Sequence, residues 1–542
     1  MMRRRRSFRS GILCFILALT LLSGCSPQDA ESSSPSESAK PAPPAATMPV
    51  KTVAAEIHEQ PSTVYYEIFV RSFYDSNGDG IGDLNGVTAK LDYLKDLGIG
   101  GIWLMPINPS PSYHGYDVTD YYGINPQYGT MQDYTNLLQE AHKRGIKVIM
   151  DLVINHSSNQ HPWFKDAAAD KNSPYRDWYT WSKPGETLAS DGATGSNPWH
   201  PSGSDNYLGI FWEGMPDLNM DNPEVRQEMI KIGQFWLKQG VDGFRLDAAK
   251  HIYEDFKSDA SNKETMKKNQ AWWQAFRQGI NEVNPNAYLV GEVWDSTAKI
   301  GPFLDQALDS CFNFDLSKTI LSTVRSEQAT DIAFNLERIY GFYNTSSKGK
   351  FIDASFLTNH DQNRVMSDLA DNMYHAKMAA AILLTLPGNP FIYYGEEIGM
   401  TGMKPDERIR EPMLWSDEKD AGQTTWEPFF YNKDTNIAVS KQLQDPNSLL
   451  QHYKQLITWR NDLPALHNGD IASYKLDNSS LLAYQRVTSQ EKVLVVHNLS
   501  KDVQTVTLPD ATFTKLALTN KYEASLRGTT LELPPYSSVI LK

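Results

Sequence analysis

The 542-residue chain is 40% hydrophobic and 21% charged, a composition ordinary for a soluble globular protein, and its length calls for about two or three packed units, not one small core. Its formal net charge of −14 becomes more negative still without the arginine-rich start, which argues against nucleic acid as a partner.

The chain opens with "MMRRRRSFRSGILCFILALTLLSGC": an arginine cluster, a short apolar run, then Leu22-Ser23-Gly24-Cys25. That order predicts an export signal over residues 1–24, too short and wrongly flanked for a stable membrane span. Its last four residues resemble a bacterial lipobox. The expectation is therefore an exported protein, anchored to a bacterial cell membrane by a lipid on Cys25. Residues 25–60 are rich in Ser, Pro and Ala and read as a flexible tether. With Cys14 lost and Cys25 acylated, Cys311 alone remains and no intrachain disulfide is expected.

From Val64 short apolar runs alternate with helical stretches. "VYYEIFV" precedes "LNGVTAKLDYLKDLG", "GIWLMPI" precedes "MQDYTNLLQEAHKRG", and "KVIMDLVI" is followed only much later by "PEVRQEMIKIGQFWLKQG". "VDGFRLD", "AYLVGEVW", "CFNFDL", "DASFLTNHD" and "NPFIYYG" continue the series. Eight such units predict an α/β fold, a closed (β/α)₈ TIM barrel over residues 61–156 and 223–465. The long gap after the third strand, residues 157–222, predicts a small inserted domain B beside the mouth of the barrel. Past residue 466, segments such as "SLLAYQRV", "KVLVVHNL", "TVTL" and "SSVILK" predict a C-terminal all-β domain, a β-sandwich over 466–542.

Several barrel strands end in acids. In "GFRLDAAKH" Arg245 and Asp247 share one strand face while Phe244 and Leu246 take the other. Asp151, Glu292 and Asp361 end other apolar runs in the same way. Catalytic groups of barrel enzymes sit at the C-terminal ends of the strands, so four acids would converge on one pocket. A pair of close carboxylates suits glycoside chemistry. Arg245 is expected to keep Asp247 ionised as nucleophile, and desolvation beside Val293 and Trp294 to raise Glu292 as proton donor. "DSNGDGIGD" places Asp75, Asn77, Asp79, Ile81 and Asp83 at alternate positions, the oxygen-rich turn that Ca²⁺ takes, with Ile81 offering its backbone carbonyl.

"DLVINH", "GFRLDAAKH", "GEVW" and "FLTNHD" together resemble the four ordered signature regions of the α-amylase family of glycoside hydrolases, and "MPDLN" resembles its fifth. "HGYDVTDYYGINPQYGT" and "PGNPFIYYGEEIGM" resemble further family segments. The resemblance implies Asp247 as nucleophile, Glu292 as general acid/base and Asp361 as the third acid that holds sugar hydroxyls. It implies substrate contacts from Tyr116, His156, Arg245 and His360, and acceptor-side contacts from Lys250 and His251. It also implies a second Ca²⁺ site from Asn155, Asp217 and the backbone oxygen of His251. The implied substrates are α-glucans and maltooligosaccharides, cut at internal α-1,4 bonds with retention of configuration. "MPDLN" is intermediate between the amylase and oligosaccharidase forms, which leaves cyclodextrin or pullulan cleavage and transglycosylation open. From another class, an inactive sugar-binding lipoprotein would be expected to lack one of the three acids; none is missing.

Overall fold

The computed structural model describes residues 57–418 and 422–542. The expected signal segment, Cys25 and most of the tether lie outside the described residues. The tether ends before residue 60, because Gln60 is buried and takes the Asp353 N–H on its side-chain oxygen at 2.8 Å.

Ten strands run from the start of the barrel to its last barrel strand: β1 (Tyr65–Ile68), β2 (Gly101–Leu104), β3 (Lys147–Leu152), β4 (Trp199–Ser202), β5 (Asp205–Leu208), β6 (Gly243–Leu246), β7 (Tyr288–Gly291), β8 (Ser310–Cys311), β9 (Ala354–Phe356) and β10 (Asn389–Tyr393). All but β4 and β5 join one parallel sheet in the order β8-β7-β6-β3-β2-β1-β10-β9. The two ends meet through a parallel bridge between Phe312 and Ala354, with the Asn313 N–H 3.0 Å from the Ala354 carbonyl. This is the expected (β/α)₈ barrel.

Its helices follow local chemistry. Thr130 and Asp133 form a reciprocal capping box at the start of Met131–Lys143. Asn222 caps Pro223–Gln239, which stops at Gly240 in the left-handed region at φ 107°. The helix expected over "LNGVTAKLDYLKDLG" breaks at Lys90 into Leu84–Ala89 and Leu91–Leu97. The strand expected over "CFNFDL" is only two residues long, because the Asn313 side chain accepts the Leu316 N–H and turns the chain into the helix Phe314–Ser326.

Parallel register explains why charges sit in core strands. Glu67 lies beside Trp103, Trp103 beside Ile149, Asp151 beside Arg245 and Arg245 beside Val290. These residues share the face turned into the barrel. Tyr65, Trp103, Ile149, Tyr288, Val290, Phe312, Phe356 and Phe391 pack there as an apolar plug. The same strands then carry Glu67, Asp151, Arg245 and Asp247 toward their C-terminal ends. Gly243 is required by this packing, since a Cβ there would lie 2.0 Å from the Tyr288 carbonyl oxygen.

The insertion after β3 contains the β4–β5 hairpin and the helix Pro162–Ala169. It is tied to the barrel by Leu218 N–H to Asn155 O at 2.9 Å, and its two ends are joined by Ser157 N–H to Pro216 O at 3.1 Å. The C-terminal region folds as two antiparallel sheets. One is β11 (Asp470–Ser473), β12 (Leu481–Val487), β13 (Lys492–Asn498), β15 (Leu516–Thr519) and β18 (Ser538–Leu541). The other is β14 (Gln504–Thr507), β16 (Ser525–Arg527) and β17 (Thr530–Leu533). Strict alternation serves two cores: Val493 and Val495 join the barrel-side core, while Leu494 and Val496 pack with Leu531 and Leu533 of the smaller sheet.

Candidate active site

Arg245, fully buried, is the hub of the strand ends. Its Nη1 donates to Asp151 Oδ1 at 2.9 Å and to Asp247 Oδ1 at 2.5 Å. Its Nη2 lies 2.9 Å from Glu292 Oε2, a charge contact without hydrogen-bond alignment. Glu292 is positioned instead by the Ala248 N–H, 3.1 Å from Oε2, and by a backbone bond from the Ala249 N–H to its own carbonyl at 3.0 Å. Ala248 has φ 47°, a left-handed turn that costs about 1–2 kcal/mol for a residue with a Cβ and points its N–H at Glu292.

One guanidinium among three carboxylates cannot neutralise them all. Burial pushes Asp151 up to about 7 and raises Asp247 and Glu292 as well, with Arg245 pulling all three back only in part. Arg245 pulls Asp247 downward through its charge and its hydrogen bond, as the sequence suggests, while desolvation pulls it upward. What separates the two acids is geometry. Asp247 takes the short hydrogen bond from Arg245, whereas Glu292 takes a neutral N–H.

Asp361 is set apart electrostatically. Burial would raise it, but the His360 and Arg410 cations outweigh burial and hold it far below the usual range. Arg410 Nη2 donates to Asp361 Oδ1 at 3.0 Å and its Nε donates to the His360 carbonyl at 3.0 Å. His360 is opposed by burial, yet Asp361 and Glu67 raise it to about 9, so it is an imidazolium at neutral pH. Its Nδ1 meets Glu67 at 2.5 Å, and its Nε2 lies 2.6 Å from the Tyr116 hydroxyl, which donates to Asp151 Oδ2 at 3.1 Å. Trp103 Nε1 donates to the same oxygen at 3.2 Å. Tyr116 lies parallel to His360, ring centroids 5.6 Å apart, which fixes the ring at the site.

A raised histidine stabilises the fold fully below about pH 6.5, its unfolded value, and the contribution is lost as pH rises through about 9. The melting temperature of the protein is expected to fall over that window, and His360→Gln to flatten the fall. An identical alkaline slope in the variant would show that the imidazolium contributes nothing.

His156 is buried, its pKa lowered by desolvation to about 4, and its Nε2 has no hydrogen-bond partner. A neutral imidazole with one unused nitrogen suits a sugar hydroxyl. Phe211 of the insertion packs against both His156 and His251, at 5.3 and 5.8 Å between centroids. Lys250 is not a solvated lysine: its Nζ reaches the Trp294 carbonyl at 3.1 Å and Asp295 at 3.4 Å, on the segment that follows Glu292. His251 Nδ1 lies 3.2 Å from the Glu254 carbonyl. Sequence reasoning overlooked Arg410, Trp103 and Glu67. The charged run "ERIREPM" after β10 was the available signal for Arg410.

The candidate cation residues divide into two groups. In the 75–83 turn, Asp75 and Asp83 are buried and their oxygens meet backbone N–H groups: Asn77, Gly78 and Gly80 for Asp75, Ser76 and Gly86 for Asp83. The oxygens of Asn77 and Asp79 accept the N–H of Asp79 and of Ile81 at 2.9 and 2.8 Å. Among the described residues no three His, Cys, Asp or Glu side chains converge as a metal cluster. The donors are all oxygen and fit a hard cation, provided that Asn77 and Asp79 turn from these contacts. At the insertion, Asn155 Nδ2 donates to Asp217 Oδ1 at 3.2 Å, and the Ile210 N–H donates to Asp217 Oδ2 at 3.0 Å.

Comparison with known proteins agrees with this geometry. Residues 67–469 match the α-amylase catalytic domain, and residues 481–540 the α-amylase SusG C-terminal domain. Alpha-amylase 3 of Dictyoglomus thermophilum is 47% identical over 488 residues, 89% of this chain and 93% of that protein. The crystal structure of α-amylase from H. orenii superposes with a TM-score of 0.82 at 46% identity, covering 90% of this chain and 99% of that one. An oligo-1,6-glucosidase of Parageobacillus thermoglucosidasius is 34% identical over 525 residues, 82% of this chain and 91% of that protein. The acids at the strand ends thus stand in a chain that belongs to the α-amylase family of glycoside hydrolases.

Proposed function

We propose that the protein hydrolyses internal α-1,4-glucosidic bonds of starch and maltooligosaccharides by double displacement with retention. The observation that carries this reading is the single Arg245 guanidinium touching both Asp247 and Glu292. One guanidinium bridging both carboxyls holds them close together, as a retaining pair about 5–5.5 Å apart requires.

In the first step an Asp247 oxygen attacks the anomeric carbon as the C–O bond to the departing sugar breaks. Glu292, which burial pushes upward and so toward the protonated form, gives its proton to that oxygen. In the second step Glu292 takes a proton from water, water oxygen bonds to the anomeric carbon, and the ester to Asp247 breaks. Asp361, ionised throughout, accepts sugar hydroxyls and offsets the developing oxocarbenium charge. Lys250, fixed beside Trp294, contacts the departing side. Since the relatives include a protein named oligo-1,6-glucosidase, the bond cleaved needs its own test. Maltotetraose is expected to be cut faster than isomaltose, and the reverse order in product chromatography would sink the α-1,4 reading.

The 75–83 turn is proposed to hold Ca²⁺ through Asp75, Asn77, Asp79, Asp83 and the Ile81 carbonyl, with a second ion at Asn155, Asp217 and the His251 carbonyl. An ion that binds only the native state stabilises it, by about 2.7 kcal/mol at a hundredfold excess over Kd. Chelation is expected to lower the melting temperature, with Asp79→Ala blunting the response. Equal melting curves with and without chelator, in protein shown to be metal-free, would leave the turn purely structural. Export and lipidation at Cys25 complete the proposal, and mass spectrometry of the mature N-terminus tests them.

A further inference from the structure

Away from the strand ends, two grooves of about 490 and 570 Å³ lie at the junction of the barrel with the C-terminal sheets and share Tyr374, Lys521 and Tyr536 in their walls. None of the acids or histidines described above lines either groove. Tyr374, in the exposed first turn of the helix Met373–Thr385, is 59% exposed, a large fraction for an aromatic side chain. Its ring stacks on that of Tyr536, centroids 5.0 Å apart and planes 18° apart, so one face is supported and the other is open.

Tyr536 is held with some strain. Its backbone φ is 49°, left-handed for a residue with a Cβ, in the turn that leads into β18. Its hydroxyl donates to Glu327 Oε1 at 2.5 Å and its N–H to the Ser500 carbonyl at 3.1 Å. Contacts from two separate regions therefore keep a strained residue underneath an exposed ring. Strained residues over-determined by their surroundings cluster at sites that grip ligands.

The walls supply matching chemistry. Beside the tyrosines stand Gln444, Asn447, Gln451, Gln455 and Asn520. Each amide offers a donor and an acceptor together, the complement of adjacent sugar hydroxyls, while the C–H face of a hexose packs on an aromatic ring. The charges are of both signs: Lys377 and Lys521 in the first groove, Glu523 and Glu532 with Lys501 and Lys521 in the second. Mixed charge disfavours a polyanion.

We propose that Tyr374 and Tyr536, with the amides around them, form an auxiliary α-glucan-binding site, distinct from the catalytic cleft, that holds a second stretch of the polymer being cut. The choice of glucan rests on the proposed α-1,4 activity; the existence of a sugar site rests on the surface itself. Such a site raises the local concentration of polymer for the cleft and leaves short substrates unaffected.

The test uses the full-length protein carrying Asp247→Asn, so that the gel matrix is not digested, in native electrophoresis through amylopectin. Adding Tyr374→Ala is expected to raise the apparent Kd for amylopectin at least fivefold, with Tyr374→Phe restoring most of the retardation. In the active protein, Tyr374→Ala should leave kcat/KM on maltotriose unchanged and lower it on starch. Equal retardation with and without Tyr374→Ala would overturn the proposal, as would Tyr374-dependent binding to dextran sulfate in place of amylopectin. The cleft reading fails separately, on maltotetraose: cleavage of maltotetraose with no Tyr374 dependence of retardation rejects the auxiliary site alone.

Discussion

Asp247→Asn is expected to lower kcat on soluble starch by roughly 10⁴-fold or more, with the fold intact, because it removes the atom that forms the covalent bond. The neutral amide keeps the shape of the carboxyl and can still meet Arg245, so circular dichroism and melting temperature should change little. Removing one negative charge from around Arg245 relieves like-charge repulsion on Glu292, since Asp247 is among the groups that raise it. Glu292 in the variant should therefore titrate lower than in the parent, measurable by NMR or by difference titration. Activity within tenfold of the parent would remove Asp247 from the nucleophile's role.

The second large effect is expected at Arg245. Arg245→Met keeps the length of the side chain but leaves Asp151, Asp247 and Glu292 without the cation that all three touch. Breaking a buried ion network by deleting one partner costs about 3–5 kcal/mol, and that loss should appear in urea unfolding at neutral pH. The pH dependence distinguishes this cause from a packing defect. Burial already raises all three carboxyls, and without Arg245 they rise further, so the native state binds more protons than the unfolded chain. The destabilisation should then shrink as pH falls toward 5. A constant loss between pH 5 and 8 would instead indicate lost packing over Trp103 and Tyr116, whose rings lie 5.2 and 5.8 Å from the guanidinium carbon.

Much of the barrel was legible because its signals are local. Period-two strands, capped amphipathic helices and the acids that end the strands can each be read within a window of a few residues. The two-residue β8 was overestimated for the same reason: Phe312 and Phe314 look like strand residues and do fill the barrel interior, yet Asn313 between them caps a helix. Arg410 escaped because its partner, Asp361, is far away in sequence, and nothing local to "ERIREPM" says that the loop after β10 folds back over the site. The desolvation of Asp247 was not legible, because a neighbouring arginine can be read from sequence whereas the number of carboxylates sharing it depends on the closed barrel. In the C-terminal region β12, β13, β14 and β18 were visible as apolar alternation. Shorter, half-exposed strands such as β15 and β16 were not, because half-exposed residues carry little of that pattern.

The central claim, a retaining displacement at Asp247 with Glu292 as acid/base, is tested most directly by the configuration of the sugar first released. In maltotetraose hydrolysis followed by proton NMR during the first minutes, before mutarotation mixes the anomers, the new reducing ends are expected to appear as the α-anomer. Initial accumulation of the β-anomer would contradict it.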